Sequence, residues 1–523
     1  MRAARPNWKN VDFLLHRWLG ISLGLIVLVW FVSGVAMMYY PYPQLTSPEQ
    51  LRLLPALRGA LVQQIVGFEQ ARVRARLDLA SEFMGGRLKL WNGRPTYELW
   101  TAISRAAQPP ILVDAMTGAR LAAIDAASAT RVAERLAPAN ARVNDVALLP
   151  RGDHYLMGAE WRNTFPVFRV VFDDRGRTTI YVSSRSGEPV AVVNGRARWT
   201  TWLGTVPHWI YVQWLYYDHY YGWFWISILL PGIVLLLALS GVVLGVWQLF
   251  PFRRRADWRL SGYRGVSRWH HTAGILFGML VLTWTLSGLL EVLGPSWRPS
   301  ADVVARVRGA TPAWDSLRRN ESDALVRAES SRPGDDAVAL DVMAVSGHVG
   351  YVAHFRSGTR LWVEVDSSAG PVRTEIDAEQ AALSARRVIA ADARVVSVTH
   401  LTSGDAYYYT PRSRSATLPV WRVQFADRAA TAVYVDPVTA LPAGVVDASV
   451  RRWRWWRDGL HDFDFPGING HHPLWDAIVL PLLLGGSVCA ITGVWLLAAQ
   501  APHHGPTALS NPVPIEINAH RHA

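Results

Sequence analysis

The chain has 523 residues, a formal net charge of +12, a pI of about 10 and one cysteine, Cys489. Half of its residues are hydrophobic and 25 are tryptophan, too apolar for an ordinary soluble protein and too polar for a bare helical bundle, so it reads as a few membrane helices carrying large water-exposed parts. A single cysteine excludes a disulfide framework and a cysteine-based metal site. The densest basic run, Arg253 to Arg268, lies between two apolar spans, where it reads as a topology signal and not as a nucleic-acid surface.

In chain order, residues 1–12 form a cytoplasmic tail and 13–39 a first apolar span, too long for a cleavable signal segment. A large exported segment, 40–221, leads to a second span at 222–249. The basic cytoplasmic loop 250–269 precedes the third span, 270–293, and a second exported segment, 294–473, precedes the fourth, 474–498. The tail 499–523 reads as disordered and cytoplasmic. Each span has the roughly 20 apolar residues that a bilayer core requires. Pro231 and Pro481 interrupt two of them, which neighbouring helices tolerate. Arg2, Arg5, Lys9 and Arg17, with the Arg-rich loop, place the tail and loop in the cytoplasm.

The two halves repeat one another. HRWLGISLGLIVLVWFVSG at 16–34 matches HHTAGILFGMLVLTWTLSG at 270–288, and PVFRVVF at 166–172 matches PVWRVQF at 419–425. Each exported segment reads as an Ala-rich amphipathic helix followed by antiparallel strands, with further strands around PTYELW (95–100) and VGYVAHF (349–355). The fold class that follows is a membrane α-helical four-helix core with two exported α+β domains, arising by internal tandem duplication. Such repeats place functional sites between the halves.

Histidines near the membrane boundaries are the candidate site residues. His16 and His270 hold the same phase at the mouths of the first and third spans. His208 and His461 are equivalent before the second and fourth. His271, His219, His471 and His472 are alternates. Ionisable residues at a span are costly and point to function. Structural zinc wants four protein ligands, whereas paired imidazoles in an apolar, glycine-rich setting suit a b-type haem. Gly20, Gly24, Gly274 and Gly278 clear one helix face for a macrocycle. The same small-residue spacing also serves plain helix packing, with the histidines at the interface. The residues alone leave both readings open. Arg198, Trp199, Arg452, Trp453, Trp455 and Trp456 are candidates for haem propionates or for an aromatic belt with basic anchors.

The HRWLG…SG helix with its copy, the PHW and LHDFDFP stretches and the YVD turn resemble the PepSY-associated transmembrane family, over about residues 10–498. The resemblance implies exported domains that are PepSY-like and an inner-membrane location with those domains in the periplasm. It is similar in this to ferric-siderophore reductases. It implies two b haems with iron held by His16, His270, His208 and His461, and reduction of a periplasmic ferric chelate or siderophore in iron uptake. There is no G-x-G-x-x-G after a strand and no P-loop, so the donor is expected to be quinol or a separate cytoplasmic reductase. Membrane lipid is the other expected partner, and no nucleic acid is. An alternative is a membrane-anchored PepSY binding or regulatory scaffold without haem.

Overall fold

The structure, a computed structural model, describes residues 8–57, 62–76, 85–100, 110–157, 164–253, 261–293, 306–307, 321–345, 348–364, 372–389, 393–408, 417–468 and 472–498. The expected disordered tail, the middle of the basic loop and His471 lie outside the described residues.

In chain order, the long helix α1 (Trp8–Tyr39) is followed by α2 (Ser47–Arg52) and α3 (Phe68–Arg74), then by β1 (Gly85–Trp91), β2 (Arg94–Trp100) and β3 (Ile111–Asp114). Helix α4 (Ala126–Glu134) precedes β4 (Val143–Leu149), β5 (Val167–Phe172), β6 (Thr179–Ser183) and β7 (Pro189–Val193). Three short helices, α5 (Gly195–Leu203), α6 (Thr205–Trp209) and α7 (Gln213–Asp218), lead into the long α8 (Tyr220–Arg253), and α9 (Gly265–Leu293) follows. Then come α10 (Glu321–Ser330), β8 (Ala337–Val345), β9 (His348–Phe355), β10 (Arg360–Glu364), β11 (Val372–Arg373), α11 (Ala378–Val388), β12 (Val395–Leu401), β13 (Val420–Phe425), β14 (Ala432–Val435) and β15 (Pro442–Val446). Helix α12 (Ala448–Arg454) continues into a π-helical turn, Trp455–Gly459, and α13 (His472–Ala498) closes the described chain.

Among the described residues, four helices are long and apolar enough to cross a membrane: Trp8–Tyr39, Tyr220–Leu249, Gly265–Leu293 and His472–Leu496. They begin a little before the apolar stretches do, because the polar first turns, WKNVD in α1 and GVSRW in α9, keep forming backbone hydrogen bonds where the hydrocarbon pattern has not yet begun. α1 packs on α8 and α13, and α9 packs on the same two helices, so α1 and α9 are diagonal partners in a closed four-helix arrangement. Its interior is apolar, built from Leu23, Val27, Phe31, Val234, Trp284 and Leu483 among others. The phenyl rings of Phe277 and Phe31 lie on the adjacent glycines Gly485 and Gly486, where a Cβ would fall within 2.4 and 2.5 Å of them.

Among the described residues, the head contains three antiparallel sheets. Two are alike: β4-β5-β6-β7 with α4, and β12-β13-β14-β15 with α11. Their register irregularities also correspond, at Val143/Asp145 and Val395/Ser397 on the first strands and at Tyr181/Val182 and Tyr434/Val435 on the third. Asp125 and Asp377 cap α4 and α11 by accepting from Ser128 N and Gln380 N.

The third sheet has seven strands, β11-β10-β9-β8-β1-β2-β3, and draws them from both large segments, which join through the antiparallel pair β1 and β8. Period-two alternation gives it two different faces. Leu88, Tyr97, Leu340 and Tyr351 pack against α3 and α10 through Phe68, Ala71, Ala324 and Leu325. Arg87, Lys89, Glu98, Asp341 and His354 lie on the other face and are all buried. Arg87 makes a two-bond pair with Asp341, at 2.5 and 2.7 Å. Lys89 Nζ reaches Glu98 Oε2 at 2.8 Å and Glu188 Oε1 at 2.7 Å. Glu188 belongs to the β6–β7 turn, and Asp436, which takes Arg360 at 2.7 Å, to the β14–β15 turn. Ion pairs thus pin each four-stranded sheet to the seven-stranded one.

Candidate functional site

The first candidate site lies at the end of the bundle remote from the head. His16 of α1 and His270 of α9 come from diagonal helices and meet with ring centroids 6.1 Å apart and planes inclined by 42°. His16 Nδ1 lies 3.2 Å from the Leu237 carbonyl of α8, and His270 Nδ1 lies 3.1 Å from the Cys489 carbonyl of α13. A carbonyl can only accept, so each Nδ1 carries the proton and each Nε2 keeps a lone pair. Both rings rest on a glycine. A Cβ on Gly241 would stand 2.7 Å from His16 Cε1, and one on Gly493 would stand 3.2 Å from His270 Cε1.

The second site lies at the head end. His208 of α6 and His461, just past the π turn, also have centroids 6.1 Å apart, with planes at 64°. Ser33 of α1 donates its hydroxyl to the Trp30 carbonyl at 3.0 Å, which leaves its oxygen to accept from His208 Nδ1 at 2.9 Å. Ser287 of α9 repeats this, donating to Trp284 O at 3.0 Å and accepting from His461 Nδ1 at 3.2 Å. The Trp284 indole N–H holds the His461 carbonyl at 2.9 Å. Gly34 and Gly288 give these rings room, with Cβ positions 4.0 and 3.1 Å from the imidazole Cε1 atoms. Burial, together with His461 beside it, pushes His208 down to about 3, so its ring is neutral at physiological pH.

Four imidazoles therefore stand in two pairs, each tautomer set by a neighbour on Nδ1. Among the described residues no Nε2 of the four has a hydrogen-bond partner. Both pairs hold their ring centroids 6.1 Å apart, close enough that the two rings could share one metal ion at metal–nitrogen bonds of about 2.0–2.1 Å. No group of three or more His, Cys, Asp or Glu is set for a metal ion among the described residues. Each pair thus offers two imidazole nitrogens, a donor set that would suit a metalloporphyrin, which brings its remaining ligands itself.

The remaining candidates lie elsewhere. His271 packs on Tyr263 at 5.3 Å. His219 lies against Trp214 at 5.5 Å, and His472 sits 3.5 Å from Asp476. The glycine stripe divides. A Cβ on Gly24 or Gly278 would stand 3.2 and 3.4 Å from Val494 and Val242, so these two glycines serve helix packing, whereas a Cβ on Gly274 would meet nothing within 4 Å. Sequence reasoning missed Gly241 and Gly493. Their signal was the matched Ser240-Gly241 and Thr492-Gly493 in α8 and α13, whose Thr492 Oγ1 lies 3.3 Å from His270 Nδ1 while Ser240 Oγ binds Asp12 at 2.5 Å. Of the candidate anchors, Trp455 takes the Arg454 guanidinium over its ring in a cation–π contact of 4.3 Å.

Residues 13–355 match the family model described as the PepSY-associated TM region. No curated protein matches the chain.

Proposed function

We propose, for a chain that belongs to the PepSY-associated transmembrane family, haem-dependent electron transfer across the bacterial inner membrane. The observation that carries this reading is the pair of 6.1 Å imidazole separations, each with its Nδ1 protons tied back to the protein. His16 with His270, and His208 with His461, would hold the iron of two b-type haems. Iron porphyrin bound in this way supplies a one-electron carrier. The protein's part is geometric. Ser33, Ser287 and the carbonyls of Leu237 and Cys489 orient the rings and fix their tautomers.

Phe31 and Trp284 pack in the apolar interior of the bundle, and Phe277 lies on Gly485. The rise along α1 from His16 to Ser33 is about 25 Å at 1.5 Å per residue, so the pairs serve opposite leaflets. Matched sheets, matched histidines and matched serines support an origin by duplication. The basic N-terminal tail and the 250–269 loop support a cytoplasmic His16–His270 end and a periplasmic head. In this reading electrons enter from quinol or a cytoplasmic reductase and reduce Fe(III) to Fe(II) in a chelate at the head, weakening a hard-oxygen complex.

The test is a visible spectrum of the protein purified in detergent after expression with ample haem. The expected result is a Soret band and an α band that sharpens with dithionite, at two haems per chain. His16→Ala, His270→Ala, His208→Ala and His461→Ala should each lose about one haem, while His219→Ala and His472→Ala keep both. A colourless protein overturns the redox reading and leaves the anchored scaffold.

A further inference from the structure

The two halves present different surfaces where the head meets the bundle. In the first half, α5 to α7 turn large apolar side chains outward: Trp199 is 72 % exposed, Trp202 47 %, Leu203 56 % and Trp214 59 %. The arginines of α5 turn the other way. Arg198 donates to the Arg177 carbonyl at 2.8 Å, and the Arg196 guanidinium stands over Tyr40 at 5.9 Å. The Trp223 indole of α8 donates to Trp209 O at 3.3 Å, which fixes this shelf level with the first turn of a membrane-crossing helix.

The second half is built otherwise. The residue that stands as far before His461 as Trp199 stands before His208 is Arg452, and the counterparts of Trp209 and Trp214 are Asp462 and Gly467. Trp455, the counterpart of Trp202, is stacked on Phe465 at 6.2 Å. Trp456 stays outward, but its surroundings are ionic: Arg457 joins Glu291 at 3.2 Å and Asp458 at 2.5 Å, and Arg454 lies 3.5 Å from Asp464. Tryptophan favours the headgroup layer, where its ring is buried and its N–H stays wet, while carboxylates are costly there.

We propose that the 195–214 shelf of the first half is seated in the lipid headgroup layer while its counterpart in the second half stands in water. The head is then embedded on one side only. Resting on the function proposed above, this places the water-side approach to the head-end pair at His461, beside Asp462, and closes the His208 side with lipid.

The test uses the full chain in lipid nanodiscs, where both membrane faces are accessible. Trp199→Cys and Arg452→Cys are each labelled with a charged maleimide, against the unsubstituted chain with Cys489 alone. The expected result is labelling at Arg452→Cys roughly tenfold faster than at Trp199→Cys, because an interfacial site excludes the charged reagent. In the unsubstituted chain, a bilayer-partitioned carbene photolabel should modify peptides from 195–214 and spare those from 448–464. Equal labelling at the two cysteines, or photolabel absent from 195–214, overturns the proposal. Neither readout depends on pigment, so this outcome and that of the visible spectrum are independent.

Discussion

Arg87 and Asp341 face one another in register on β1 and β8, and their buried two-bond pair holds together the joint through which the two large segments share one sheet. The residues are separated by the same interval as His16 and His270. The head joint and the remote histidine pair thus obey one relation between the halves.

Arg87→Ala strands the Asp341 carboxylate with only His354 beside it, at 2.8 Å. Leaving a buried charge unpaired costs about 3–5 kcal/mol, and the thermal midpoint of the detergent-solubilised protein should fall accordingly. Arg87→Met combined with Asp341→Leu removes both charges and should recover much of the loss. A double variant as unstable as the single one would show that shape, not charge, governs the joint.

The same cluster gives the head a pH dependence. Burial lowers His354 below the usual histidine value, outweighing the opposing pull of Asp341, with Arg87 and Arg360 adding to the lowering. The ring is neutral in the fold and takes a proton more readily once unfolded. Stability is therefore full above the unfolded value of about 6.5 and falls as the pH drops below it. Burial would raise Asp341, but Arg87 and His354 hold it far below the carboxylate range, so its contribution is lost only at lower pH, beneath about 4. Thermal melts followed by tryptophan fluorescence should decline from pH 6.5 to 5, and His354→Gln should flatten that part of the profile.

Glycine cradles discriminate between the sites. Gly241→Ala puts a methyl 2.7 Å from the His16 ring, whereas Gly34→Ala meets its nearest atoms at about van der Waals distance, Leu483 at 3.9 Å and His208 at 4.0 Å. Overpacking of the first kind costs about 1–3 kcal/mol. Gly241→Ala should lose pigment from the remote site alone, and Gly34→Ala should keep both, as read from haem content per chain.

Ser33→Ala and Ser287→Ala leave an imidazole N–H of the head-end pair without its acceptor. Haem affinity at that site should drop about 10- to 100-fold, measured by haem transfer to an apoprotein trap, with Ser→Thr restoring most of it. Unchanged affinity in both alanine variants would mean that the serines only pack.

Part of this was legible in the sequence. Spans and strands follow from periods of composition, which are local, and TYELW or YVAHF cannot bury one face in any other form. The matched histidines were visible because the two halves of the sequence repeat one pattern in the same phase. Gly241 and Gly493 were not singled out, since a glycine in an apolar helix looks like any packing residue until a ring from another helix lands on it. The serines of the two SG steps could be aligned, but their acceptor role depends on histidines far away in the chain.

The amino-acid sequence by itself determined four apolar spans, the paired halves and the identities of the four imidazoles, because each of these depends on short-range pattern or on repetition. Tertiary structure alone decided that α1 and α9 sit diagonally, that each ring pair closes to 6.1 Å, and that β1 joins β8 to make one sheet from two segments. Those are distances between residues separated by more than half of a repeat. They are set by which apolar faces and which buried charges satisfy one another, and no local pattern in the chain encodes that.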